Sequence, residues 1–135
     1  MNILEVFSQI EKLFDNNSEI EISKIKGSKF TAILQQGYIE IPELSDTKLP
    51  MAVFQDAYYL LQENVKEGVK YGKAIAQGIR LGDKGLEITT LEGHIAFHVY
   101  GTTIGTAVLQ RSYYVGAILV AAGVCEWISG GIRLV

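Results

Sequence analysis

Glycine is spread unevenly along this chain, and the imbalance limits what the second half can build. Twelve of the 14 glycines lie at or beyond Gly68. An interior glycine costs a helix about 1 kcal/mol relative to alanine. Gly68, Gly72, Gly78, Gly82 and Gly85 therefore cut the chain after residue 67 into short pieces. Loops are expected there, with one short strand at 79–81, and this is the natural place for a hinge.

The first half follows longer periods. Ile3, Val6, Phe7, Ile10, Leu13 and Phe14 recur at helical spacing over residues 2–14, and Asp15-Asn16-Asn17-Ser18 stops the pattern. Over 19–44 the period drops to two: Ile20 and Ile22 alternate with glutamates, as do Ile39 and Ile41 with Tyr38 and Glu40. With turn residues at 26–28 and 36–37, a three-stranded antiparallel meander follows, and Pro42 either limits its last strand or puts it on an edge. Residues 45–48 read as a polar connector. Pro50 suits a first helical turn, and Met51, Phe54, Tyr58, Leu61 and Val65 extend that helix over 50–67.

The last third is read in two ways. In the first, Thr89-Thr90-Leu91-Glu92 is a capping box, with Thr89 and Glu92 exchanging bonds, and opens a helix carrying Leu91, Ile95 and Val99. Gly101 closes it, and Thr102 or Thr103 caps a second helix running to Ala122. Ile104, Val108, Val115, Ile118, Leu119 and Ala122 form its apolar stripe, although Gly105 and Gly116 weaken it. In the second, Ile95, Phe97 and Val99 alternate with His94, Ala96, His98 and Tyr100 as a strand that pairs with 86–90. Both remain open at this point. Residues 125–128 and 132–135 flank Ser129-Gly130-Gly131, a hairpin signal.

Ile95-Ala96 followed by Val99 and Gly101, together with the terminal hairpin, resembles the winged helix-turn-helix superfamily over the last third of the chain. The resemblance implies a recognition helix beginning near Thr103 and a wing at the carboxyl end. Tyr100 is one residue more than the pattern has before the turn glycine, and the helix is poor in Arg and Lys. The fold class expected overall is α+β: an N-terminal helix and small antiparallel sheet (1–67), then a winged-helix-like region (68–135), in one compact domain.

Side chains on the polar face of the second helix can hydrogen-bond phosphates or base edges. The expected DNA contacts are Thr102, Thr103, Thr106, Gln110, Arg111 and Tyr113, with Arg133 on the wing. The net charge of −3 argues mildly against nucleic acid. It is unevenly placed, with 5 basic and 10 acidic residues through Val65 and 7 against 5 from Lys66 onward. A DNA-binding or DNA-associated module is therefore one expectation, double-stranded DNA its partner. The alternative is a protein-interaction or assembly module, with a protein partner or a homodimer and no nucleic acid.

Other chemistry is thinly represented. Gly68-Val69-Lys70-Tyr71-Gly72-Lys73-Ala74 has three residues between its glycines and no Ser or Thr after the lysine, so it does not form a nucleotide phosphate loop. His94 and His98 share a face and are the candidates for a metal, but no third ligand is fixed by spacing. Cys125, the single cysteine, follows an apolar run as a small core residue would, and excludes an internal disulfide. Arg111, close to the apolar stripe, needs a partner such as Glu92 or Glu126. No catalytic set and no cofactor are expected. The acidic start differs from a signal peptide, and the uncharged run 113–125 is shorter than the roughly 20 residues of a bilayer span. A cytoplasmic protein off the membrane is the expectation.

Overall fold

The computed structural model describes residues 1–74 and 78–135. It is mixed α+β, with helices α1 (Ile3–Phe14), α2 (Met51–Gln62), α3 (Leu91–His98) and α4 (Ser112–Ala121). Strands β1 (Glu19–Ser23), β2 (Lys29–Gln35), β3 (Tyr38–Ile41) and β4 (Thr47–Pro50) form one antiparallel sheet in sequence order. Strands β5 (Val69–Lys70), β6 (Cys125–Ile128) and β7 (Gly131–Leu134) form a second sheet, with β7 in the middle.

The first helix forms where the periodicity places it. Asn2 caps it reciprocally with Glu5, and Asp15 and Asn16 leave it with positive φ, a conformation that short polar side chains tolerate. The meander has four strands. Residues 47–50 pair with β3, Tyr38 opposite Pro50 and Ile39 opposite Leu49, so the second half of the supposed polar connector, Thr47 and Lys48, belongs to an edge strand. Only Leu49 of that strand is buried, which is why its composition resembles a loop. Helix α2 ends at Gln62 instead of Glu67, and the Asn64 side chain donates to the Leu60 carbonyl at that end.

One apolar cluster joins both halves of the chain. The inner face of the first sheet contributes Ile22, Phe30, Ala32, Ile39, Ile41 and Leu49, all at most 3 % exposed. Val6, Ile10 and Phe14 of α1, and Val53, Phe54, Ala57 and Leu61 of α2, pack with it. Each such Ile, Leu or Phe contributes about 1.5–3 kcal/mol of transfer free energy. Helix α4 runs through this cluster, touching α1, α2, β1 and the terminal hairpin. Its residues 114–119 are all buried, as the apolar run in the sequence requires.

The open choice at 91–100 resolves to helix. Its N-cap is Thr90, whose Oγ1 accepts from Gly93 N at 3.0 Å, and not Thr89 as the capping box implied. Gly101, at φ 64°, closes the helix while Thr102 N–H reaches back to the Ala96 carbonyl. The second helix, however, starts ten residues later than Thr102, at Ser112. Residues 102–111 are irregular. Residues 79–81 are not a strand; Leu81 exchanges two backbone bonds with the 105–106 turn, donating to Thr106 O and accepting from Gly105 N. No helix among the described residues is long and apolar enough to cross a membrane.

Candidate functional site: a lysine-flanked aromatic groove

The late start of α4 has a local cause in Glu92. This carboxylate is fully buried, on the first turn of α3. Its Oε1 accepts from Arg111 N–H (2.9 Å), and its Oε2 accepts from Ser112 N–H (2.8 Å) and from Gln110 Nε2 (2.6 Å). The amide donors of a helix's first turn have no partner within the helix, and α4 has no side-chain cap of its own. Glu92 supplies the acceptor from 20 residues away, and its charge suits the positive end of the helix. Burial pushes its carboxyl above the usual range, while the bonds from Ser112 and Arg111 and the Arg111 charge pull it back.

The same network fixes the chain that follows β5. Gln110 Oε1 accepts from Ala74 N–H (2.7 Å), Gln110 Nε2 also donates to Gly72 O (3.3 Å), and Glu92 N–H donates to Tyr71 O (2.8 Å). Tyr71 N–H donates to Gly130 O at the hairpin tip. The ring of Tyr71 is thereby laid on α4 at Gly116, where a Cβ would stand 2.9 Å from Tyr71 Cε1. The helix-weakening glycine thus has a packing role.

Two hollows meet over this ring. The first, about 420 Å³, is lined by Tyr71, Tyr113 and Trp127 with Lys24, Ile25, Lys26 and Ser28 of the β1–β2 turn. Tyr71 and Tyr113 pack edge to face with centroids 5.0 Å apart, and Trp127 lies 6.5 Å from Tyr71. The second, about 730 Å³, shares Tyr71, Tyr113 and Gly130 and adds Lys70, Lys73 and Glu87. Four lysines against one glutamate give the combined lining a net charge of +3, in a chain whose total is −3. Lys24 Nζ is held over the Tyr114 ring at 4.5 Å, and Lys70 Nζ donates to the Ser129 carbonyl. Burial, with Tyr113 and Cys125 beside it, pushes the Tyr71 hydroxyl upward, so it remains a neutral donor.

Of the residues that the sequence assigned to DNA, only Tyr113 lines this groove. Thr102, Thr103 and Thr106 lie on the irregular segment, Thr103 and Thr106 exposed. A recognition helix beginning near Thr103 does not form. Gln110 is 6 % exposed and is used up inside the Glu92 network, so it presents no amide to a ligand. The Arg111 guanidinium sits 3.9 Å from the Tyr100 ring centre, and the residue's hydrogen bond to Glu92 is donated by its backbone N–H, not its side chain. Its Nε is buried with no hydrogen-bond partner among the described residues. Arg133 pairs with Glu126, its cross-strand neighbour, at 2.7 Å.

The remaining reactive side chains lie elsewhere. His94 Nδ1–H donates to Asp56 Oδ2 at 2.7 Å, joining α3 to α2, and the His98 ring lies 4.1 Å from it. Among the described residues no three His, Cys, Asp or Glu side chains converge to hold a metal ion. Cys125 is buried and its thiol is pushed up to about 12 by that burial, so it is protonated and unreactive at neutral pH. Lys24, Lys26, Lys70, Lys73 and Trp127 are not among the contacts expected from the sequence, and Tyr71 is there an aromatic more readily placed in the core than on an interaction surface. The signal available was a pair of lysines in each of two separate segments, 24–26 and 70–73, the second with Tyr71 between them. Comparison with protein families, with curated proteins and with solved structures finds nothing that matches this chain.

Proposed function

We propose that this chain is a nucleic-acid-associated module, with DNA as its partner, and that it engages DNA through the groove over Tyr71 rather than through a recognition helix. The observation that carries this reading is the local excess of positive charge around the partly exposed rings of Tyr113 and Trp127 on an otherwise acidic protein. Lysines release counterions from phosphates, which supplies affinity independent of sequence. Aromatic rings add contacts to bases. Helix α4 has no free face for a duplex groove, because its core-facing residues surround it on nearly all sides.

The test is fluorescence anisotropy of a labelled DNA oligonucleotide across a salt series. With up to four phosphates contacted, log K should fall against log salt with a slope of about −3 to −4. Lys26→Gln with Lys73→Gln should lower the slope by about 2 and weaken binding at low salt. Absence of binding at low salt to any DNA, paired or unpaired, would remove the reading.

A second reading, a protein-docking module, is favoured by a different surface. Phe97, Tyr100, Ile104 and Leu109 are 38, 38, 52 and 43 % exposed on α3 and the irregular segment that follows. Aromatic and aliphatic side chains held outward in this way are typical of the centre of a protein interface. A stoichiometric partner or dimer that dissociates on Ile104→Asp, with DNA absent, would support this reading over the first.

A further inference from the structure

From the shape of the groove, and resting on the nucleic-acid reading above, we infer that its ligand is an unpaired stretch of nucleotides, not a duplex. The groove sets a base against Tyr113 and Trp127 and places the adjoining phosphates at Lys24 and Lys26 on one side and Lys70 and Lys73 on the other. Three observations lead there. The first hollow, at about 420 Å³, is walled by ring surfaces, and volumes of this order suit small planar ligands. Tyr113 and Trp127 are partly exposed and both line it, while Tyr71 is 8 % exposed and acts as a floor that α4 holds in place. The lysines divide between the two hollows, which share Tyr71, Tyr113 and Gly130.

The chemistry discriminates between paired and unpaired nucleic acid. A duplex presents phosphates to the lysines, but its base faces are covered by neighbouring base pairs, so the aromatic walls would gain nothing from it. An unpaired strand offers both: backbone charge for the lysines, and a π-face for each ring. Stacking of this kind tolerates any base. Sequence preference should therefore be weak. DNA and RNA single strands share this chemistry, and both belong in the test.

Trp127 is the only tryptophan, so its fluorescence reports on this site alone. The experiment titrates the full chain with a mixed-sequence DNA strand of about 12 nucleotides, the RNA of the same sequence, and the DNA strand annealed to its complement. The expected result is quenching of Trp127 by the DNA single strand, bound at least about tenfold better than the duplex at equal salt, with the RNA strand showing whether the sugar matters. Binding to RNA alone would remove the DNA reading and this inference with it. Tyr113→Leu on α4 and Trp127→Leu on β6, the latter read by anisotropy, should each weaken single-strand binding roughly 5- to 100-fold. A urea midpoint for each variant identifies any that fails to fold, and the two lie on different elements. Duplex binding as tight as single-strand binding, with Trp127 silent, would overturn this inference and leave the broader reading standing. Binding to none of the three would remove both.

Discussion

Replacing Glu92 with alanine strikes the point where α3, α4 and the groove segment are tied together. The substitution leaves the Arg111 and Ser112 N–H groups without their acceptor, while Gln110 Nε2 loses its shortest bond and keeps Gly72 O and Ser112 Oγ. A buried donor without a partner costs about 1–3 kcal/mol, and removing one member of a buried charged network typically costs about 3–5 kcal/mol in all. The lower sum applies where water fills the gap. A loss of about 3–5 kcal/mol is a large part of the roughly 5–15 kcal/mol that holds such a domain folded. It should lower the melting temperature by roughly 10–20 °C. The conservative Glu92→Gln retains one acceptor but turns an amide toward the other donors, so about 1–3 kcal/mol is expected. Urea denaturation followed by circular dichroism and by Trp127 fluorescence measures both. A Glu92→Ala midpoint corresponding to a loss below about 1 kcal/mol would refute the view that this carboxylate organises the C-terminal half.

Other consequences can be checked on the same protein. Because burial raises the Glu92 carboxyl, the folded state holds that proton more tightly than the unfolded chain, so stability should fall as pH climbs from the ordinary glutamate range through the raised value; in Glu92→Gln this component of the pH dependence should vanish. Gly116→Ala adds about 1 kcal/mol of helix propensity but forces Tyr71 off α4 at an overpacking cost of about 1–3 kcal/mol, so stability should stay level or fall by up to about 2 kcal/mol while nucleic-acid binding weakens; unchanged binding and near-ultraviolet dichroism would mean that the ring is not seated there. Cys125 should resist iodoacetamide at mildly alkaline pH in the native protein and react once urea unfolds it, as mass spectrometry would show. Arg133→Ala should change stability by less than about 1 kcal/mol, since its pair with Glu126 is about half exposed.

What could be read from the residues follows the range over which their causes act. α1, the β1–β3 meander and the terminal hairpin are set by neighbours within a few positions: the Asn2–Glu5 cap, the alternating isoleucines, and Ser129-Gly130 between paired strands. β4 escaped because its polar residues, Thr47 and Lys48, are those of an edge strand with one buried side chain. The start of α4 escaped for a different reason. Ile104 and Val108 continue the apolar stripe by spacing, yet Ile104 is 52 % exposed, because the first amides of the helix are captured by a carboxylate on α3. The groove was the least legible feature. Its lysines and rings come from the β1–β2 turn, β5 and the segment after it, α4 and β6, and only the tertiary fold assembles them. Residues 68–74 lack the spacing of a nucleotide loop, and Lys70, Tyr71 and Lys73 line the candidate site.

The most direct test of the account is a map of backbone amide shifts in the isotope-labelled protein as a short single strand is added. Shifts concentrated in 24–28, 68–73, at Tyr113 and in 127–130 are the expected result. Shifts confined to 97–109, or to the exposed face of α1, would contradict the groove as the binding surface.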